Sequence, residues 1–483
     1  MKKSLVVFFS CLFIVFPLVA CGKPPENSNV PGTTTGKTTE NDPYAEYDWT
    51  TFEEDTSVRL LNWEGRLWNT LSKVDYNQND LSGDKVENAI YGRNRLVEER
   101  MNVTLKVVES ANTLNDYRIV ISGGDQLYDA VFLKNYDIPT CISEGTLANL
   151  YAIPELDLSR DWWSPQFNSN LVFDGRLYMA ATSLHLMSFE QTIATYFNRV
   201  IYQNHGYDNT LYEVVQSGKW TFETMYRYMT ELSNLNGDET YNETGKSIFG
   251  CATFGDWLGV LSSNVGSVIA LDKDGQPTYI GPSGVSEYFD KIYEWFTPEG
   301  MQIGKSDNYD MMFHDRCAVF SLISFGNARV FRDMEDQYGI LPSPKFAESA
   351  DYRSPMGASL ILVVPAGSTT TGKTALVLDA LSYVSYTSVY PVYYESLCYG
   401  GRTNPEDIAM IEIIEKSRWA DLGLTYGLSY GIMTSVANDI LGIGDGSNGT
   451  HRNTLIQRDS WQGGAVAAVV AKLRSDGKDG YGH

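Results

Sequence analysis

Ser57-Val-Arg-Leu-Leu-Asn-Trp63 and Tyr128-Asp-Ala-Val-Phe-Leu133 are the two phrases that decide the fold of this chain. Each is a short apolar run rich in strand formers, and the second is continuous enough to be buried on both faces. Between them, Asp84–Met101 carries Val86, Ile90, Val97 and Met101 at helical spacing, Val103–Val108 alternates like a strand, and Leu114–Ile121 reads as a short helix. Strand, helix, strand, helix, strand is the signature of a parallel α/β sheet.

Downstream the pattern loosens and then returns. Val172–Ala181 (VFDGRLYMAA) predicts a hairpin turning at Asp174-Gly175, and Val268–Ile280 predicts another. Asp272-Lys273-Asp274-Gly275 is too poor in acids for a calcium loop and fits the second turn. Thr192–Phe197 is strand-like. Lys219-Trp220-Thr221 opens a helix with Phe222, Met225, Met229 and Leu232 on one face, and Val285–Phe296 is a second amphipathic helix. Cys317–Leu322, Tyr338–Pro342 and Ser359–Val364 read as buried strands, Ala375–Val384 as an apolar helix, and the chain past 385 as helix and loop. No linker interrupts residues 56–483, which favours two α/β lobes that share the chain non-sequentially.

Before this body lie two segments of another kind. Met1-Lys2-Lys3, an apolar run from Leu5 to Leu18 and small residues up to Cys21 have the anatomy of a secretion signal, and the run is too short for a comfortable membrane span. Leu18-Val19-Ala20-Cys21 resembles the lipobox of bacterial lipoproteins, which implies cleavage after residue 20 and a lipid on Cys21. Residues 22–55 are rich in Pro, Thr, Asn, Gly and acids. They predict a flexible tether, residues 21–55 in all, with a typical reach of about 30 Å.

Composition narrows the partners. Sixty acids against 37 Lys and Arg give a formal net charge of −23, and loss of Lys2 and Lys3 with the leader makes the mature chain more acidic still. Nucleic acid and anionic lipid headgroups would be repelled, so membrane contact is expected through the lipid alone. Outside the leader, Cys141, Cys251, Cys317 and Cys398 show no CxxC pair, which argues against a zinc framework and predicts packed thiols, with a single long-range bridge left open by the sequence. Ten Trp, 31 Tyr and 20 Phe serve mostly as core and surface filler, and their abundance also permits a carbohydrate cleft, where rings stack on sugar faces.

One motif match is a decoy. Gly367–Thr374 (GSTTTGKT) fits the phosphate-cradling GxxxxGK[ST] pattern. No later buried strand ends in an acid to hold magnesium, and an exported protein meets little nucleoside triphosphate. The plain expectation is a helix N-terminus with Ser/Thr capping and a solvent-facing lysine. No HExxH, no GxSxG and no specific carboxylate pair marks an enzyme, and neither metal nor cofactor is expected.

A series of phrases in order resembles the extracellular solute-binding lipoproteins of ABC importers, the family that includes maltose-binding protein. They are Tyr128-Asp129-Ala130-Val131; Asp157-Leu158-Ser159 with Trp162-Trp163; Asp174-Gly175-Arg176-Leu177-Tyr178; Tyr196-Phe197-Asn198-Arg199 then Gly206; Gly218-Lys219-Trp220-Thr221; Ala318-Val319-Phe320 with Tyr338–Pro344; and Val363-Val364-Pro365-Ala366-Gly367-Ser368. The resemblance covers about residues 56–400. It implies two lobes, 56–183 with 306–350 and 184–305 with 351–483, that close on ligand and dock as a monomer on membrane permease subunits. Ligands of open α/β sheets sit beyond the carboxyl ends of strands. That rule nominates Trp63 and Glu64, Asn135, Tyr136 and Asp137, and Ser324 and Phe325; Asp256 and Trp257 join them from a Gly-bounded loop, and Tyr352 from a lobe crossing. Rings would stack on sugar faces while acids and amides hold hydroxyls. The resulting expectation is a carbohydrate-binding, non-enzymatic subunit. A surface glycoside hydrolase, a binding protein for peptide or another non-sugar solute, and a scaffold without small ligand remain the alternatives.

Overall fold

The computed structural model describes residues 42–442 except 55, 66–70, 173–174, 208–209, 304–308, 369, 399–404 and 427–429, together with 456, 464, 467–468 and 470–471. The expected signal, Cys21 and most of the tether lie outside the described residues. Residues 42–48 form a separate small unit, a turn in which Asp42 accepts from the Tyr44 and Ala45 amides. The body begins at Trp49, earlier than expected. The Phe52 amide donates to Met101 O, Asn102 Nδ2 to Phe52 O and Thr51 Oγ1 to Arg100 O, while the Arg100 guanidinium lies over Trp49. Residues 49–54 are therefore bound to the body and are not tether.

The strands follow the chain as β1 (Thr56–Trp63), β2 (Val103–Ser110), β3 (Ala130–Lys134), β4 (Ile193–Asn198), β5 (Phe249–Thr253), β6 (Ile269–Leu271), β7 (Pro277–Tyr279), β8 (Gln302–Ile303), β9 (Ala318–Ser324), β10 (Tyr338–Pro342), β11 (Ser354–Pro355), β12 (Leu360–Val363) and β13 (Arg418–Trp419). The first sheet has the order β12-β3-β1-β2 and the second β10-β4-β9-β5-β8. β1 is parallel to β2 from Thr56↔Val103 to Trp63↔Ser110 and parallel to β3 at Leu60↔Ala130, whereas β12 closes the sheet antiparallel to β3. Helices flank both sheets, as the α/β reading requires. β6 and β7 form the expected hairpin, with Asp272 Oδ1 accepting from the Asp274 and Gln276 amides.

One expectation fails here. Ala318–Phe320 and Tyr338–Pro342, read as the return to the first lobe within 306–350, instead build the second sheet: β9 and β10 both lie antiparallel against β4. The return comes at β12, within the span 351–483 expected in the second lobe. The reason is burial. All seven residues of β9 are buried, as suits a strand with neighbours on both sides, and the four apolar residues of β12 cover the free edge of β3. The turn of the hairpin expected at 172–181 falls on Phe173 and Asp174, which lie outside the described residues. Beyond it, the Leu177 amide donates to Asn149 Oδ1 and the Ala180 amide to Leu362 O.

Local chemistry places the helices. Asp84 caps helix Lys85–Met101 by accepting from Val86 N at 2.7 Å, and Asn102 ends it in the left-handed region at φ 55°. Arg93, buried on that helix, donates to Val74 O, Leu184 O and Ser385 Oγ; burial pulls its guanidinium down to about 9. Helix Gly255–Leu261 packs against helix Tyr430–Leu441, where a Cβ on Gly259 would stand 2.8 Å from Thr434 Cα.

Candidate functional site

The first sheet offers its carboxyl ends at Trp63 and Lys134. Trp63 closes β1 and is partly buried; Glu64 is exposed and fixed through its amide to Ser110 O. Lys134 closes β3 and lays its ammonium 4.0 Å from the centre of the Trp63 ring and 5.9 Å from that of Tyr136. Tyr136 is 38 % exposed. Burial raises the Asp137 carboxyl above its usual range, against the opposing pull of Lys134. Trp63, Tyr136 and Asp137 thus stand around a lysine that the placement rule passed over by one residue, with Glu64 next to Trp63 in the chain.

Asn135 does not join them. It is buried, its amide donates to Ser359 O and its Oδ1 accepts from Ser359 N at 2.8 Å, while Nδ2 donates to Thr425 O at 2.6 Å. Every polar end is engaged, so Asn135 clamps the segment entering β12 to the end of β3. That segment, residues 353–359, reaches the other candidates. At Gly357 a Cβ would lie 3.0 Å from Trp257 Cζ3, and the Gly357 amide donates to Gln191 O. Trp257 is partly buried in the first turn of its helix beside Asp256, whose Oδ1 lies 3.5 Å from Asn438 Nδ2. One residue earlier, the Met356 amide donates to Trp419 O. Trp419, on β13, carries the Arg353 guanidinium 4.2 Å from its ring centre. Neither Arg353 nor Trp419 was legible as a candidate: β13 is two residues long and has no strand pattern.

Three further nominated residues are structural, as Asn135 is. Ser324 is buried in the ladder opposite Ile193 and donates to Asn327 Oδ1 at 2.7 Å. Phe325 is sealed in the core, 4.7 Å centre to centre and edge-on to Phe189, and its carbonyl accepts from the Tyr196 hydroxyl. Beside them Glu190, wholly buried, accepts from the Leu71 amide at 2.5 Å and pairs with Arg329. The loop after β9 is thus filled by side chains. Tyr352 donates its hydroxyl to Val215 O and lies under Lys345; burial pushes it up to about 12. It braces the helix Thr210–Gln216.

The decoy loop opens a helix with Lys373 exposed, as expected, but the expected Ser/Thr cap does not form, because Thr370 at the N-cap turns its hydroxyl to Asp129. Thr370 Oγ1 donates to Asp129 Oδ1, Thr371 Oγ1 to Ser368 O, and Gln126 Nε2 to Gly367 O. Thr374 is buried, Lys373 lies over Phe52, and a Cβ on Gly372 would stand 2.5 Å from the Glu155 carboxylate. A phosphate would meet an acid there and no free cradle. Cys141 and Cys251 are buried free thiols, with burial pushing Cys141 up to about 12, and Cys317 is half-buried and free; the Cys398 side chain lies outside the described residues. Among the described residues no cluster could hold a metal ion, and no helix is long and apolar enough to cross a membrane.

No sequence-family model and no curated protein sequence matches the chain. Its structure does match solved ones. UspC from M. tuberculosis is 15% identical with a TM-score of 0.56, covering 86% of this chain and 100% of its own. A cyclo/maltodextrin-binding protein complexed with maltotetraose is 12% identical with a TM-score of 0.55, covering 89% and 99%. The GacH receptor of Streptomyces glaucescens, solved unliganded and with acarbose, is 12% identical with a TM-score of 0.54, covering 85% and 99%. Two interleaved sheets, the chain's return through residues 343–363 and these likenesses agree: the chain has the two-lobed α/β fold of the solute-binding proteins.

Proposed function

We propose that this chain is the extracytoplasmic solute-binding subunit of an ABC importer, anchored through Cys21, and that it captures a carbohydrate, an oligosaccharide, for delivery to a membrane permease. The observation that carries the reading is the fold, shared over 85% and 89% of the chain with receptors solved with acarbose and with maltotetraose. The aromatic residues at the junction fit that chemistry. Trp63 and Tyr136 stand at the end of the first sheet, and Trp257 and Trp419 flank the segment that leads back to it. The lobes in this reading follow the sheets: β1, β2, β3 and β12 in one, and β4, β5, β8, β9 and β10 in the other.

Binding is read by intrinsic tryptophan fluorescence against a panel of neutral and acidic oligosaccharides. A saturable shift that Trp257→Ala weakens by about tenfold, roughly the 1.4 kcal/mol of one lost ring contact, is the expected result. A flat response across the panel would sink the sugar reading, and release of reducing ends would replace it with glycoside hydrolysis. Anchoring is checked separately: Cys21→Ser should move the protein from the membrane fraction to the medium.

A further inference from the structure

We propose that Gly357 is a positioning residue of the saccharide site: its missing side chain lets the Trp257 ring rest on the segment that returns to the first sheet, and so fixes where that ring meets the sugar. The inference rests on the saccharide reading above and deepens it.

Backbone freedom does not explain this glycine. Its φ lies outside the left-handed region, so alanine could adopt the same conformation. Most of its surroundings would also accept a methyl. A Cβ would stand 3.6 Å from Gln191 Oε1 and 3.7 Å from Gln191 O, both ordinary contacts. One neighbour is too close, Trp257 Cζ3 at 3.0 Å. The backbone on each side of that contact is held. The Gly357 amide donates to Gln191 O at 2.9 Å, and Met356 bridges Thr192 while its amide donates to Trp419 O. The helix that carries Trp257 is fixed at another face, where Gly259 lies against Thr434. A methyl at residue 357 would therefore displace the ring, by about 0.5 Å if an ordinary carbon contact is to be regained. Trp163 and Trp220 are sealed in the core, but Trp257 keeps part of its surface open. It rests on the same segment that Asn135 clamps to the end of β3. Offset and separation decide what contact an aromatic ring can offer, so the residue beneath the ring sets its use.

The test begins without ligand. The purified protein is labelled with fluorotryptophan, and the Trp257 fluorine resonance is assigned by its loss in Trp257→Phe. Gly357→Ala should shift that resonance while circular dichroism stays unchanged. Binding is then read with neutral malto-, cello-, xylo- and galacto-oligosaccharides. For the tightest of them, Gly357→Ala should cut affinity by about tenfold. In the Trp257→Phe background, where the smaller ring leaves room for the methyl, the same change should cost less than about twofold. Should Gly357→Ala alone fail to fold, Trp257→Phe must restore it. A resonance that stays put, an equal loss of affinity in both backgrounds, or a double variant that remains unfolded would overturn the inference and leave the saccharide reading standing. No binding by any saccharide overturns the saccharide reading, and with it the ring's role toward a sugar.

Discussion

Two places in this molecule answer to the same rule and are built in opposite ways. The loops after β1 and β3 present Trp63, Glu64, Lys134 and Tyr136 at or near the surface, with a lysine between the rings. The loop after β9 presents Ser324 and Phe325 to the interior, against Phe189 and the Glu190–Arg329 pair. A carboxyl end is a place where side chains converge. Whether they converge on ligand or on one another depends on what the second sheet must fill. β9 is central and buried throughout, so its continuation is core.

The contrast predicts where damage falls. Glu190→Ala removes a buried carboxylate that serves both Arg329 and the Leu71 amide, leaving a nearly buried cation unmatched. It should cost about 3–5 kcal/mol in urea unfolding, and a loss below about 1 kcal/mol would erase the distinction between the two ends. Phe325→Ala empties a fully buried ring site and should cost about 3–4 kcal/mol by the same measurement. Asn135→Ala, at the open end but structural, should cost about 1–3 kcal/mol, because Ser359 N and Thr425 O each lose a partner.

A smaller effect should show in acid. Burial tends to raise the Asp129 carboxyl, but the Arg59 guanidinium and amide and the Thr370 hydroxyl together hold it below its usual 3.8. A carboxyl lowered on folding adds stability that is complete above its unfolded pKa and is lost as pH falls through the folded value. Unfolding midpoints should therefore drop below about pH 4, and Asp129→Asn should flatten that slope while lowering stability at pH 7. Smallest of all, Glu64→Ala should leave stability within about 0.5 kcal/mol of wild type, since the side chain is exposed. A large loss there would mean that the open end is closed after all.

Much of this was legible in the residues. The alternation of 57–63 and 103–108, the continuous apolar run at 128–133 and the helical spacing between them are local signals, and the strands and helices stand within a few residues of where they point. Sheet membership was not legible. A fully apolar strand such as AVFSLIS has no face that names its neighbours, so the return to the first sheet was read at Ala318 and occurs at Leu360. The site divided in the same way. Trp63, Tyr136 and Trp257 follow from strand ends and a Gly-bounded loop. Lys134 and Arg353 lie over rings distant in sequence, Trp63 and Trp419, which no local spacing encodes.

The early start of the body has a mechanical consequence. Residues 49–54 are bonded to Arg100, Met101 and Asn102, where helix Lys85–Met101 turns into the amino end of β2. A pull on the chain from its amino-terminal side is therefore taken up at that edge of the first sheet and carried into the helix axis. Trp63 and Lys134 stand at the other ends of their strands, a strand length away from the strained bonds. In the reading proposed above, a leash fastened at the back would leave the binding mouth unloaded.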